Sequence, residues 1–410
     1  MASSIAWLDF SEAQQRGIRE VLRNFEEKGT VDDLGFGTVR DAISNGLFPG
    51  TSIIQTRARY FLFIPWIFME AQRRWPSQML GKAADMERKL IDALRTADDT
   101  DGLIGKSAGK DLKTLPSSIY WSGLQTYGIF KLRGMTIRQY GRMASRVRVA
   151  SEYEGEIVDQ GSSCWADIPG SPDDFFKFES AALDLSRTEA EWLAERMLST
   201  SRADGRSNLL CEVVKKVQRG DVSALDVSAV WQLRHDESLP DSIRNLLFHA
   251  ERFSLLAQGL SLLYNAMLCE LLRGELVEFD IGHDYPSELA EWSIEAEALD
   301  LIPWCSEIDR FWECLVDLRS PVQDRTRQFI VGAAQLIAEH GVNDLVENTS
   351  LRELVRDRER VHKRAQSRFS NKGRLRAYQG EAGTRRMVFR WDLVKRLLTD
   401  ISVGYTQGEV

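Results

Sequence analysis

The sequence predicts a mainly α-helical fold: a multi-helix N-terminal region with a helix-turn-helix-like segment, a central helical bundle, and a basic C-terminal helix-loop-helix. Three observations lead there. Apolar residues recur at helical spacing through most of the chain. Capping residues and prolines stand where those runs begin, and glycines where they end. From Pro240 to Arg273 one apolar-periodic run has few gaps in its hydrophobic faces, as the central helix of a bundle would.

The elements follow in order. Ser11 is placed to cap a first helix whose apolar face is Ile18, Val21, Leu22 and Phe25, and Gly29 ends it. A short helix is expected around 39–44. Thr51 or Ser52 caps a helix through Phe63, which Pro65 should kink or break. Met86, Leu90 and Leu94 mark a helix from about Ala83. Thr114–Phe130 reads as a helix begun by Pro116 with Ser117 or Ser118 and closed by Gly128. Thr136 caps the next one.

The stretch 152–174 mixes Gly, Pro, Ser and acids and is the best domain boundary. Beyond it, Ser186 and Glu189 form a capping box. Helices over 208–219 and 224–234 precede the long one, which Gly274 closes. Others are expected around 288–298, 306–318 and 321–339. A second capping box, Ser350 to Glu353, opens a charged helix to about Phe369. A Gly-rich basic loop then leads through a short strand or turn at 387–390 to a final helix from Asp392. The resulting division is 1–158, 159–345 and 346–410, in keeping with a length that calls for two or three domains.

Composition narrows the class. With 43% hydrophobic and 28% charged residues, the chain has the balance of a globular protein. The start lacks a basic segment followed by an apolar one, so no secretory signal is expected. The most apolar run, Tyr60–Met69, is far shorter than the ~20 residues of a membrane span. Cysteines 164, 211, 269, 305 and 314 form no CxxC pair, and the five histidines are scattered, which reads as free thiols in a cytoplasmic protein without a metal site. No GxSxG, HExxH or Walker pattern is present, and no cofactor is expected.

Charge distribution says more. Although the formal net charge is −8, no Asp or Glu occurs from Leu112 to Ser151. That window holds Lys113, Lys131, Arg133, Arg138, Arg142, Arg146 and Arg148, interleaved with Tyr120, Trp121, Tyr127, Phe130 and Tyr140. Local positive potential on an acidic protein points to a polyanion, most often nucleic acid.

The segments Trp7–Ser11, Leu47–Trp66 (LFPGTSIIQTRARYFLFIPW) and Leu115–Ile129 (LPSSIYWSGLQTYGI) resemble an uncharacterised bacterial family, domain of unknown function 6361, over nearly the whole chain. That resemblance supplies no catalytic residues. It implies bacterial origin and a setting among helicase-like and nuclease-like proteins, as in phage-defence clusters.

Three candidate sites emerge. In the acid-free window, Ser117, Ser118, Ile119, Tyr120, Leu124, Gly128 and Ile129 follow a recognition-helix pattern, with the hydroxyls and amides of the helix start available to phosphate. Trp121 and Tyr120 are candidates to stack on bases. Arg138, Arg142 and Arg146 recur at i, i+4, i+8 as one basic stripe, with Arg133 just before them. The opposing interpretation makes the aromatics core and the arginines a solvated face.

The second candidate is C-terminal. Between Arg352 and Arg396 basic residues outnumber acids about three to one, and the loop carrying Lys372, Arg374, Arg376, Arg385 and Arg386 has glycines that suit a segment ordering on a polyanion.

The third is Thr51, Ser52, Gln55, Arg57 and Arg59, either an anion seat or a structural arginine site paired with Asp9, Asp32, Asp33 or Asp41. The structural interpretation is preferred, since the guanidinium fork suits buried pairing.

Together these predict a DNA-associated accessory subunit with a nucleic-acid partner gripped by its backbone, and an acidic central bundle docking a protein such as a helicase or nuclease. The rivals are a metal-dependent nuclease or hydrolase using carboxylates such as Asp173, Asp174, Asp300, Glu307, Asp309 and Glu313, and a non-catalytic scaffold.

Overall fold

The computed structural model describes residues 32–109, 112–154, 164–179, 181–275 and 282–407, with 146–154 and 275 described in backbone only. The helix expected after Ser11, and Asp9 with it, lie outside the described residues. Within them the chain is mainly helical, with fifteen α-helices and short 3-10 turns. One isolated antiparallel bridge, Phe130 to Trp165, is described and no strand.

The N-terminal layer contains α1 (Gly37–Leu47), α2 (Tyr60–Arg74), α3 (Met79–Leu94), α4 (Pro116–Thr126) and α5 (Ile137–Glu154). Helix α2 is buried on almost every side, with Tyr60, Phe61, Phe63, Trp66 and Phe68 all inside. Pro65 sits within α2 and does not end it. The packing of both its flanks holds the helix through the single backbone bond that proline removes.

The helix expected from Thr51 is absent; regular structure begins only at Tyr60. Segment 51–59 is held instead by distant side chains. The Tyr120 hydroxyl accepts from the amides of Thr56 (2.8 Å) and Arg57 (3.1 Å) and donates to the Arg57 carbonyl (2.8 Å). The Asp400 carboxylate accepts from the Ala58 amide at 2.8 Å. Backbone groups satisfied this way have no need of a helical ladder.

The centre is built on α8 (Asp241–Glu275), preceded by α6 (Arg187–Leu198) and α7 (Leu209–Gln218). At 35 residues α8 is about 52 Å long. It is also the described helix that is long and apolar enough to cross a bilayer, yet 83% of its apolar window is buried inside the protein. Its hydrophobicity serves the core. Around it lie α9 (Tyr285–Ala298), α10 (Leu301–Ser306), α11 (Ile308–Asp317), α12 (Asp324–His340), α13 (Thr349–Lys363) and α14 (Lys372–Arg376). At Gly259 an added Cβ would come within 2.4 Å of the Trp292 ring, so glycine is what lets α9 lie close on α8. The last helix, α15 (Trp391–Thr406), returns to pack on α6 and α7.

Local signals were kept or replaced by tertiary ones. Ser186 and Glu189 form the expected capping box of α6. For α13 the cap is Asn348, which accepts from the Leu351 amide at 2.9 Å, and not the expected Ser350 box. That helix stops at Lys363 because the chain turns back, with Ser367 and the Arg368 amide bonding the buried Glu359 carboxylate. Residues 224–234 give two 3-10 turns, Ser223–Leu225 and Val230–His235, in place of one helix. Residues 387–390 form a turn, with Phe389 and Arg390 at positive φ.

At the third candidate site the arginines are held by protein partners. Arg57, 6% exposed, donates to Asp400 (Nε, 3.0 and 3.1 Å), Asp99 (Nη1, 2.6 Å), the Asp101 carbonyl (2.9 Å) and Asp184 (3.4 Å). Arg59 reaches Glu189 at 2.8 Å and the Ala182 carbonyl at 2.9 Å. The partners are not the four nearby aspartates expected from sequence, for those are used elsewhere or lie outside the described residues. Asp32 accepts from the amides of Phe36 and Gly37, Asp33 pairs with Lys363 and Arg368, and Asp41 faces Arg40 and Arg390. Thr51 and Gln55 are buried and bonded to the Phe48 and Gly50 carbonyls, and the Ser52 amide donates to Gln55. No helix starts there to seat an anion.

Removing one partner of a buried, hydrogen-bonded ion pair leaves the other uncompensated. Arg57→Leu is therefore expected to lower unfolding free energy by about 3–5 kcal/mol in urea titration; a loss below ~1 kcal/mol would show the network to be dispensable.

Candidate nucleic-acid interface

Helix α4, expected to be a recognition helix, is inside the protein. Tyr120 is fully buried against Tyr60 and Phe61, and Trp121 (4% exposed) packs on Phe68, Phe130, Tyr140 and Trp165 while donating to the Met135 carbonyl at 2.8 Å. Both are withdrawn as base-stacking residues. Ser117 is buried as well, its amide donating at 2.8 Å to the Glu87 carboxylate rather than to a phosphate. Only Ser118, Ser122 and Thr126 remain toward solvent, spaced by four along one face.

The turn after α4 is rigidly tied. Gln125 donates to the Met135 carbonyl (2.6 Å) and accepts from the Gly134 amide (2.8 Å). The Lys131 amide bonds the Cys164 carbonyl and the Ala166 amide the Ile129 carbonyl, both at 2.8 Å. Gly128 and Gly134 take the left-handed conformations this path needs. Thr136 and Gln139 exchange hydrogen bonds of 2.7 and 3.2 Å, so Thr136 caps α5 as expected.

Helix α5 buries Tyr140 and sets Gly141 against Leu80, while Ser145 bonds the Pro76 carbonyl at 3.2 Å. Lys131, Arg133, Arg138 and Arg142 are all exposed and make no ion pair among the described residues. The Arg146 and Arg148 side chains lie outside the described residues. Pro76–Gln78 packs on α5, and Trp75 immediately precedes it. Trp75 is 36% exposed, with Arg74 and Lys82 placed 5.8 and 5.6 Å from its ring centre. Trp75 is the residue sequence reading passed over. Its signal was an aromatic directly after Arg73-Arg74 and before a proline.

The C-terminal basic tract divides between internal and exposed residues. Arg386 is held by the Ser254 hydroxyl (3.0 Å), the Glu251 carbonyl (2.7 Å) and Glu295, and lies over the Trp231 ring. It is withdrawn as a phosphate contact. The loop expected to be free is fastened to α8: Tyr378 bonds Asn265, Asn265 donates to the Ala382 carbonyl at 2.8 Å, and Gln258 to the Thr384 carbonyl at 3.1 Å. Lys372, Arg374, Arg376 and Arg385 are exposed at its surface, and Lys372, Arg376 and Arg385 have interactions there.

Among the described residues, no three His, Cys, Asp or Glu side chains gather to hold a metal ion. Residues 2–404 match the family of unknown function DUF6361. The chain belongs to this family. The resemblance read from the sequence thus extends over nearly its whole length, and membership brings no activity with it. No curated protein and no solved structure matches the chain.

Glu87, which anchors the start of α4, is fully enclosed. Burial pushes its carboxyl up to about 7, against the opposing hydrogen bond from Ser117. A raised folded-state value favours the protonated fold, so this contribution is complete below the unfolded value near 4.5 and is lost as pH rises through 7. Glu87→Gln, which keeps the acceptor, should be more stable than the parent at pH 8 by on the order of 1–3 kcal/mol, with the difference shrinking toward pH 4.5. Parallel stability curves for the two proteins across that range would contradict it.

Proposed function

We propose that this protein is a nucleic-acid-associated accessory subunit that grips phosphates with the exposed cations of the turn before α5 and of α5 itself. One observation carries the reading. Arg57, Arg59, Arg358, Arg368, Arg386 and Arg390 are consumed by internal partners, whereas Lys131, Arg133, Arg138 and Arg142 are exposed and unpaired among the described residues, in a window free of acids. A chain of net charge −8 that leaves these four cations uncompensated has a surface suited to a phosphate backbone. Trp75, with Arg74 and Lys82 beside it, takes the stacking role that the buried Tyr120 and Trp121 cannot fill. The family resemblance suggests a helicase-like or nuclease-like protein as the partner of this subunit, in phage defence or DNA processing.

Fluorescence anisotropy with labelled single- and double-stranded DNA over a salt series tests this. Affinity should fall with salt, each phosphate contact adding about 0.7–0.9 to the log–log slope. Arg138→Glu with Arg142→Glu should weaken binding to every sequence while leaving the circular-dichroism melt unchanged; undiminished affinity sinks the placement. Trp75→Ala should weaken single-stranded binding by about 1–3 kcal/mol and duplex binding much less. Equal losses on both substrates would remove Trp75 from the contact.

A further inference from the structure

Away from α5, a cavity of about 380 Å³ opens where the loop between α6 and α7 crosses the facing sides of α8 and α11. Helical spacing builds two of its walls: Ser242, Asn245 and His249 on α8, and Arg310, Glu313, Cys314 and Asp317 on α11. The loop contributes Arg202 and Arg206. A backbone bond of 2.9 Å from the Arg202 amide to the Arg206 carbonyl closes it, around Gly205 at positive φ.

The buried members of this lining are donors. His249 is 5% exposed and its Nδ1 accepts the Trp304 indole N–H at 3.0 Å. Burial pushes the imidazole down to about 4, reinforced by Arg252 and Arg310, so the ring is neutral at pH 7. An indole N–H can only donate; Nδ1 is therefore unprotonated and the proton sits on Nε2. That Nε2–H has no partner among the described residues.

Arg202 is 4% exposed. Its guanidinium has an ion pair to Asp204 at 3.0 Å and one long bond to the Ser242 carbonyl at 3.4 Å, and its buried Nε has no partner among the described residues. A guanidinium carries five N–H donors, so most of this buried group's capacity is unspent on protein. Arg206 and Arg310 stand at the exposed rim, paired to Asp317 at 3.4 Å and Glu307 at 2.8 Å.

We propose that this cavity binds a small phosphorylated polyol, a sugar phosphate, with its phosphate against Arg202, Arg310 and His249 Nε2–H. The donor count selects the anion. A carboxylate offers two oxygens and one charge, whereas a phosphate monoester offers three acceptor oxygens and about −1.5 to −2 charge at neutral pH. Guanidinium groups match it bidentately. Glu313 and Asp317, with Asn245, suit the hydroxyls of the carrier. The lining contains no Phe, Tyr or Trp, so nothing there offers a nucleobase an aromatic face. The volume falls in the range of small-molecule sites.

Isothermal titration of the full chain with ribose phosphate, inorganic phosphate, ribose and adenosine monophosphate tests the assignment. Ribose phosphate should bind best, inorganic phosphate more weakly, and ribose not at all. Arg310→Gln, at an exposed position whose ion-pair partner Glu307 lies within its own turn, should cost about tenfold in affinity, ~1.4 kcal/mol, with an unchanged melting temperature. His249→Gln keeps an acceptor for Trp304 and should also weaken binding. No heat from ribose phosphate at millimolar concentration, or binding indifferent to Arg310→Gln, overturns the site. Tighter binding of adenosine monophosphate than of ribose phosphate overturns the choice of a base-free ligand.

Discussion

Everything in this fold leans on a guanidinium in the wrong place for a helix. Arg57 lies in irregular chain, and four segments meet on it: its own, the loop at Asp99–Asp101, the approach to α6 at Asp184, and α15 at Asp400. A buried cation demands compensation from every side, and each compensating carboxylate fixes the segment that carries it. Asp400 serves twice, bonding the Arg57 side chain and the Ala58 amide. Two residues on, Arg59 ties Glu189, which at the same time closes the capping box of α6. The C-terminal helix is thereby locked to the N-terminal layer across more than three hundred residues of sequence, with α2 and its aromatic run starting directly after the network.

The helices were legible because their signals are local. Capping at Ser186 and Thr136, Pro116 at the first position of α4, and the periodicity of α8 each depend on neighbours within a turn or two. What failed was whatever a distant side chain could overrule. Thr51 and Ser52 look like caps, but the Tyr120 hydroxyl and Asp400 claim the backbone that follows. Pro65 looks like a break, and burial on both sides of α2 overrides it. Ser350 and Glu353 spell a capping box, yet Asn348 reaches the Leu351 amide first.

The candidate site was half legible for a related reason. Local charge composition located the acid-free window, but composition cannot say which residues face outward. Tyr120 and Trp121 sit among polar and basic neighbours in sequence and among aromatic rings in space. Trp75 shows the reverse: it follows the last turn of the buried helix α2 and stands half-exposed between two cations in space. In the C-terminal tract part of the same excess of arginine is internal fastening. Arg358 bonds the Leu34 and Gly35 carbonyls and Thr326; Arg390 bonds Asn45 and the Thr51 carbonyl. Sequence shows a surplus of positive charge but not its destination.

That division of one residue type between fastening and contact is the core of the account, and arginine-selective footprinting with phenylglyoxal, read by mass spectrometry with and without a single-stranded oligonucleotide, measures it directly. Arg133, Arg138 and Arg142 should react quickly in the free protein and become protected by the oligonucleotide, while Arg57, Arg358, Arg386 and Arg390 stay inert in both. Arg386 reacting as fast as Arg138, or Arg138 and Arg142 reacting at the same rate with the oligonucleotide present, would contradict it.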